Sequence, residues 1–244
     1  MEDLSIVIPA YNEEQRLPAT LDRILAWART APIPLREVLV VDDGSRDGTA
    51  ALVESGTHGP LVRLLRNPGN RGKGFAVRNG MLQAAGEWIL STDADLSSPI
   101  EEFSKLLAAA RRENAPIAIG SRALDRSLVK VHQGALRELS GRTFNLAMRI
   151  VTGLPFRDTQ CGFKLFRRAA AREVFARQIE DGFSFDVEDL AIARVLGIKV
   201  VEVAVEWSNV EGTKVSLLGG AKPFGDLLRI RWNAMRGKYG SAKN

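Results

Sequence analysis

Strand-like and helix-like stretches alternate five times within the first 120 residues, and no other feature constrains the fold as tightly. The apolar, β-branched runs are Leu4–Pro9, Glu37–Val41, Leu61–Leu65, Glu87–Ser91 and Pro116–Gly120. The spacing predicts a helix from an Asn12 N-cap, with Gln15 three residues on, to about Arg29. Further helices are expected after Asp47-Gly48-Thr49, from Arg71-Gly72-Lys73-Gly74 to Ala85, and from Pro99 over Ile100–Arg112. Such alternation builds an α/β, Rossmann-like, mostly parallel sheet flanked by helices. Ligands of these sheets bind outside the carboxyl ends of the strands. Chemistry is therefore expected in the residues that end each strand.

Acidic residues sit at three of those ends: Glu13-Glu14, Asp42-Asp43 and Asp93-Ala94-Asp95. An extended Asp-x-Asp puts both carboxylates on one side, because side chains alternate with period two. Two hard oxygen ligands suit Mg²⁺ or Mn²⁺, which keeps waters and bridges to substrate phosphates. Acids capping the following helix produce the same pattern, so Asp-x-Asp alone does not decide. Three acidic sites at one edge, with Arg71 and Lys73 beside them, point to a nucleotide and a metal. No G-x-x-x-x-G-K-[ST] loop occurs, and no G-x-G-x-x-G follows the first strand, which disfavours P-loop ATPases and NAD enzymes.

Beyond residue 122 the rhythm changes. Ala135–Val151 and Pro223–Lys238 read as basic amphipathic helices, Phe185–Leu196 as a further helix. Asp158–Phe166 reads as a loop entering a strand, and Val200–Trp207 as an alternating strand. No linker separates an independent unit, so one domain is expected over residues 1–244. The chain is 45% apolar and 26% charged, enough for a sizeable core. A net charge of +5 suits anionic partners: a nucleotide, a phospholipid surface or nucleic acid. The basic residues are spread without a recognised motif, so nucleic acid ranks last. Cys161 stands alone, which excludes an intrachain disulfide and suits a reducing cytosol. Met1-Glu2-Asp3-Leu4 has no signal-peptide pattern, and no run approaches about 18 uninterrupted apolar residues. Work at a membrane would then require docking.

Val7–Glu14, Val40–Thr49 and Asp93-Ala94-Asp95 together resemble the family 2 glycosyltransferases of GT-A fold. Asn70–Arg78, Asp158–Phe166, Phe185-Asp186-Val187-Glu188 and Glu211-Gly212-Thr213-Lys214 narrow the resemblance to enzymes acting on polyprenyl phosphates, the dolichyl-phosphate β-glucosyltransferases in particular. The resemblance spans about residues 4–240. It implies a UDP-sugar donor, a dolichyl or polyprenyl phosphate acceptor, and Mg²⁺ or Mn²⁺. By the same resemblance Pro9, Tyr11, Glu13, Asp42, Asp43, Arg71 and Lys73 hold the donor, and Asp93 and Asp95 hold the metal on its diphosphate. Ser97 stands where related mannosyltransferases carry a Gln, so no third side-chain ligand is expected from it. Arg122, Arg137 and Lys214 match positions that meet the acceptor phosphate or the leaving diphosphate. Asp158 lies next to the sugar pocket, as a sugar contact, a base or a turn residue. Catalytic roles thus fall on Asp95, Arg122 and Asp158. Residues 1–122 would form the nucleotide-sugar half and 123–244 the acceptor half. Eukaryotic members carry an N-terminal membrane anchor that this sequence does not show. Peripheral docking at the cytoplasmic face of a membrane, by the basic helices, is the resulting expectation.

The acceptor decides whether a base is needed. A phosphate monoester with a second pKa of about 6 is already an anion at neutral pH. Its difficulty is approaching another anion, which basic side chains relieve. A saccharide hydroxyl would need a general base, and Glu188 and Asp189 occupy the helix where family members acting on hydroxyls carry theirs. Transfer from GDP-mannose is a narrower alternative. A catalytically silent nucleotide-sugar-binding protein is countered by the Asp93/Asp95 pair and Arg122. Cys161, His58 and His132 are expected to pack or to face solvent.

Overall fold

The computed structural model describes residues 2–131, 148–209 and 222–240. Its first strands are buried on both faces, which is why they read as unbroken apolar runs. In β1 (Leu4–Ala10) and β2 (Leu35–Asp42), Val7, Leu39 and Val41 face one hydrophobic cluster. Ile6, Ile8, Val38 and Val40 face the other. The two clusters lie on opposite sides of one sheet, as the alternation of strand side chains requires.

That sheet has seven strands in the order β3-β2-β1-β4-β7-β5-β8. The further members are β3 (Val62–Arg66), β4 (Trp88–Ser91), β5 (Ile117–Ser121), β7 (Lys164–Arg167) and β8 (Val200–Ala204). β1 pairs in parallel with β2 and β4, and β5 with β8. β7 runs antiparallel between β4 and β5. The sequence predicts a mostly parallel sheet, and β7 is the strand that departs from it. Being antiparallel, β7 begins at the edge where β4 and β5 end, so the loop before it arrives at that edge. Two short strands, β6 (Val129–Val131) and β9 (Trp207–Ser208), form a second sheet.

One helical layer packs α1 (Leu17–Trp27) and α4 (Phe103–Arg112) through Leu17, Leu21, Phe103 and Leu106. The other packs α3 (Lys73–Gln83), α6 (Arg168–Phe175), α7 (Phe185–Val195) and α8 (Lys222–Met235). Val77, Val174, Leu190 and Ile230 hold that layer. A short α2 (Thr49–Glu54) follows β2, and residues 148–152 form a helical turn, α5. Among the described residues no helix is long and apolar enough to cross a membrane.

Local expectations differ at several places. Asn12 does not cap a helix: it takes a positive φ of 55° and its side chain accepts from Arg46 N. α1 starts only at Leu17, because Pro18 presets the first turn and supplies no donor there. The run read as one strand to Trp207 breaks after Ala204, and Trp207 joins the second sheet. The helix α6 follows β7 without a loop and was not foreseen. Most of the expected Ala135–Val151 helix lies outside the described residues.

α3 crosses β1 and β2 so closely that a Cβ at Gly80 would lie 2.4 Å from Val7 Cγ1 and 2.9 Å from Val41 Cγ2. Gly80→Ala should therefore cost about 1–3 kcal/mol by overpacking, despite the better helix propensity of Ala. Urea unfolding checks this: the midpoint falls while the slope stays the same.

Candidate active site

The carboxyl ends of β1, β2 and β4 are tied into one rim. Asn12 N donates to Ser45 Oγ at 2.9 Å and Glu13 N to Thr49 Oγ1 at 2.8 Å, joining the loops after β1 and β2. Pro9 and Tyr11 are half-buried there. The Glu13 carboxylate takes both Nε and Nη2 of Arg16. Asp42 accepts from Ser45 N at 3.1 Å. Buried Asp43 accepts from Asn67 Nδ2 and from the backbone N–H groups of Arg71 and Gly72. Asp43 thereby pins the loop that starts α3. Gly72 in that loop has a φ of +106°, and a Cβ there would lie 2.4 Å from Asp181 O. Arg71 is exposed, its guanidinium 4.6 Å from the centre of the Phe75 ring.

Asp93 and Asp95 leave the end of β4 half-buried. Lys73 Nζ lies 2.7 Å from Asp93 Oδ1. Burial alone would lower the Lys73 ammonium, but Asp93, Asp186 and Asp95 push it up to about 12. Burial would likewise raise Asp93, and Lys73, Lys164 and Arg122 hold it below the usual carboxylate range. Asp95 Oδ1 accepts from Ser97 N and Oγ at 2.9 and 2.8 Å. Its Oδ2 has no hydrogen bond among the described residues. Gly162, ahead of β7, leaves the space that Asp93 fills: a Cβ there would lie 2.5 Å from Asp93 Oδ2.

Asp93, given room by Gly162, and Asp95 two residues on offer hard oxygen donors of the kind a divalent cation takes. No group of three acidic, His or Cys side chains converges among the described residues. A cation held by Asp93 and Asp95 would take its other ligands from water and substrate phosphates, as Mg²⁺ commonly does.

Arg122, one residue past β5, meets Asp158 in a two-pronged pair, Nε to Oδ2 at 2.7 Å and Nη2 to Oδ1 at 2.9 Å. Asp158 also accepts from the backbone N–H groups of Arg122 and Gln160. Burial would raise Asp158, and Arg122 holds it below the usual carboxylate range. With its oxygens occupied and its proton affinity depressed, Asp158 positions Arg122 and is not placed to act as a base. Trp207 adds a ring 5.5 Å from the Arg122 guanidinium.

Sequence reasoning missed Lys164, Asp186 and Gly162 as members of this edge. Lys164 Nζ and the Asp186 carboxylate are ion-paired, both buried. The signal was available: charged residues inside an apolar strand and at a helix start are either paired or functional. Glu188 and Asp189, the alternative bases, are placed differently from that expectation. Glu188 is fully buried, accepting from Ile179 N, Glu180 N and Tyr239 Oη. Asp189 is 1% exposed, and neither carboxylate oxygen has a hydrogen-bond partner among the described residues. Burial, then the charges of Asp186 and Glu188, pushes its pKa far up. Cys161 is buried, and burial raises its thiol too, as befits a packing residue. Arg137 and Lys214 lie outside the described residues.

The sequence model of glycosyl transferase family 2 matches residues 5–175. A dolichyl-phosphate beta-glucosyltransferase of Drosophila melanogaster is 41% identical over 227 residues, covering 88% of this chain and 69% of that one. Its Trichomonas vaginalis counterpart is 37% identical over 236 residues (93% and 72%), and the Homo sapiens one 36% over 252 residues (98% and 78%). Among solved structures, mannosyl-3-phosphoglycerate synthase from Rubrobacter xylanophilus aligns with a TM-score of 0.70 at 19% identity, covering 100% of this chain and 77% of that one. Glucosyl-3-phosphoglycerate synthase from Mycobacterium tuberculosis, in complex with Mn²⁺ and UDP-glucose, aligns with a TM-score of 0.64 at 18% identity (100% and 81%). The fold is therefore GT-A, as the sequence resemblance implies.

The buried acid Asp189 makes stability depend on pH with a definite sign. Its folded pKa is raised, so the folded state binds the extra proton. Its contribution is complete below the unfolded pKa and is lost as pH rises toward the folded one. Asp189→Asn removes that loss. The urea midpoint of the variant relative to the unsubstituted protein should therefore climb as pH rises above the ordinary carboxylate range of about 4.

Proposed function

The chain belongs to glycosyl transferase family 2, and from that premise we propose that it moves glucose from UDP-glucose to a dolichyl or polyprenyl phosphate, giving a β-linked glucosyl phospholipid and UDP. One observation carries the reading: fixed cations gather at the edge, while none of the three carboxylates weighed as a base, Asp158, Glu188 and Asp189, is placed to act as one. Lys73, Lys164 and Arg122 all act on Asp93. Asp158 is occupied by Arg122, Glu188 by Tyr239 and two backbone amides, and Asp189 is shut away from solvent. A hydroxyl acceptor would need a base. A phosphate monoester needs positive charge instead, because it is already ionised. The hydroxyl-acceptor alternative thus loses the two side chains it requires. The names of the relatives support glucose and a dolichyl phosphate, and the neighbour solved with Mn²⁺ and UDP-glucose supports the donor and the cation.

In this reading an oxygen of the acceptor phosphate attacks the anomeric carbon opposite the diphosphate. The new C–O bond forms as the bond to UDP breaks, the anomeric centre inverts, and no proton moves. A divalent cation on Asp93 and Asp95, when bound, neutralises charge on the leaving diphosphate. Arg122 presents a guanidinium already fixed by Asp158 and Trp207, so it needs no reorganisation when an anion arrives. Lys73 lies between donor loop and carboxylates, where it offsets the charge of both. Pro9, Tyr11, Glu13, Asp42, Asp43 and Arg71 form the rim assigned to uridine, Asp43 by shaping the loop. Arg137 and Lys214 complete the acceptor side of the proposal, and the reaction is placed at the cytoplasmic face of a membrane.

Glucose labelled in UDP-glucose should pass into the organic phase with a polyprenyl phosphate in Mg²⁺ or Mn²⁺, and not in EDTA. UDP release with saccharides but no lipid label would restore the hydroxyl acceptor. Competition by GDP rather than UDP would indicate a GDP-mannose donor. Asp95→Asn should lower transfer by at least about a hundredfold. Its unfolding midpoint should stay unchanged, since the side chain is only half-buried and among the described residues bonds only Ser97. Retained turnover would remove Asp95 from the site.

A further inference from the structure

α8 is apolar on two opposite sides. Leu227 and Ile230 are fully buried against α7 and the sheet layer. On the outward side Leu228, Trp232 and Met235 are 61%, 53% and 71% exposed. Four and three residues apart, these three share one face of the helix. Core packing accounts for the first side and leaves the second unexplained. A groove of about 340 Å³ runs beside it, between Arg231 and Met235 of α8, Arg194 and Val195 of α7, and residues 152–154. Ile150, 72% exposed, belongs to α5, which Arg231 holds through Val151 O at 2.9 Å.

The charges around this face are as informative as its apolar residues. Arg231 flanks the stripe on one side, and Arg236 on the other with its guanidinium 4.6 Å from the Trp232 ring. Among the described residues Arg149, Arg231, Arg236 and Lys238 pair with no acid. Arg229, turned toward the site, is paired with both Glu180 and Asp226. Two arginines without an acidic partner among the described residues, Arg231 and Arg236, thus flank the exposed large apolar side chains. This complements a layer that is anionic at its surface and apolar just beneath, and Trp is favoured at such boundaries.

We propose that the Leu228–Trp232–Met235 face of α8, with Ile150 beside it, is the surface by which the protein docks on an anionic lipid bilayer. The proposal rests on the lipid-phosphate reading above, since an acceptor held in a bilayer has to be met there. On its inner side the same helix bonds Ser184 through Asp226 and Glu180 through Arg229. The docking face is therefore rigidly connected to the segment packed against the donor loop.

The test is sedimentation of the full chain with vesicles of phosphatidylcholine alone and of phosphatidylcholine with phosphatidylserine. Binding is expected to the anionic vesicles only and to weaken with salt. Trp232→Ser combined with Met235→Ser should weaken it at least about tenfold. Arg236→Glu, which replaces the guanidinium stacked on Trp232, should do so while leaving the apolar side chains in place and serves if the double variant unfolds. Equal binding by both variants and the parent, or no binding by the parent, overturns the proposal. Self-association lost in the double variant without vesicle binding would overturn it in favour of a second copy. Vesicle binding without transfer to any lipid phosphate sustains the docking face and sinks the enzymatic reading. Transfer to a short, water-soluble polyprenyl phosphate without vesicle binding does the reverse.

Discussion

The ion pair between Lys164 and Asp186 is nearly sealed from water, and much of the active edge depends on it. Two charges in such a place are tolerated only when they meet each other in good geometry, and removing one leaves the other stranded at a cost of about 3–5 kcal/mol. The pair fastens β7 to the start of α7. With β7 come Gly162 and Asp158, which shape the space around Asp93 and hold Arg122. With α7 comes Glu188, which anchors Tyr239 and the 179–180 amides. The 180–182 segment in turn backs the donor loop at Gly72.

Electrostatics at this edge run in one direction. Lys73, Lys164 and Arg122 outweigh the burial that raises Asp93, and Arg122 with Lys164 does the same at Asp158, so both carboxyls are held below their ordinary range. Asp189, buried, close to the charges of Asp186 and Glu188 and without a hydrogen-bond partner among the described residues, goes the other way, its proton affinity pushed far up. A site with ionised carboxylates, fixed guanidinium and ammonium groups, and Asp158, Glu188 and Asp189 all engaged or buried suits transfer between two phosphate-bearing molecules better than deprotonation of an alcohol.

α8 links this chemistry to its surroundings. A helix whose apolar residues occupy opposite faces is unusual for a surface position, where one side ordinarily meets water. Here the inner side carries the Arg229–Glu180 and Asp226–Ser184 contacts toward the site. The outer side carries exposed Leu228, Trp232 and Met235 between arginines that pair with no acid among the described residues. Position at a lipid surface and order in the donor loop would then be properties of one rigid element.

The strands and most helices of the first 120 residues were legible in the sequence, because burial on both faces writes continuous apolar runs and turn residues bound them. The Asp93/Asp95 pair was legible for a related reason: acids directly after a buried strand have nowhere to go but the sheet edge. Asn12 misled because a polar residue before a helix serves equally as a cap or, with positive φ, as a clasp between loops, and only Ser45 and Arg46 across the gap decide which. The direction of β7 could not be read either, since apolar alternation is the same for parallel and antiparallel strands. Only the fold shows that Gly162 meets Asp93, that Asp158 is consumed by Arg122, and that Glu188 faces Tyr239 rather than a substrate. Sequence specifies which side chains are present and their local spacing. Pairing between segments distant along the chain determines which charges remain free for chemistry, and that is settled by three-dimensional packing.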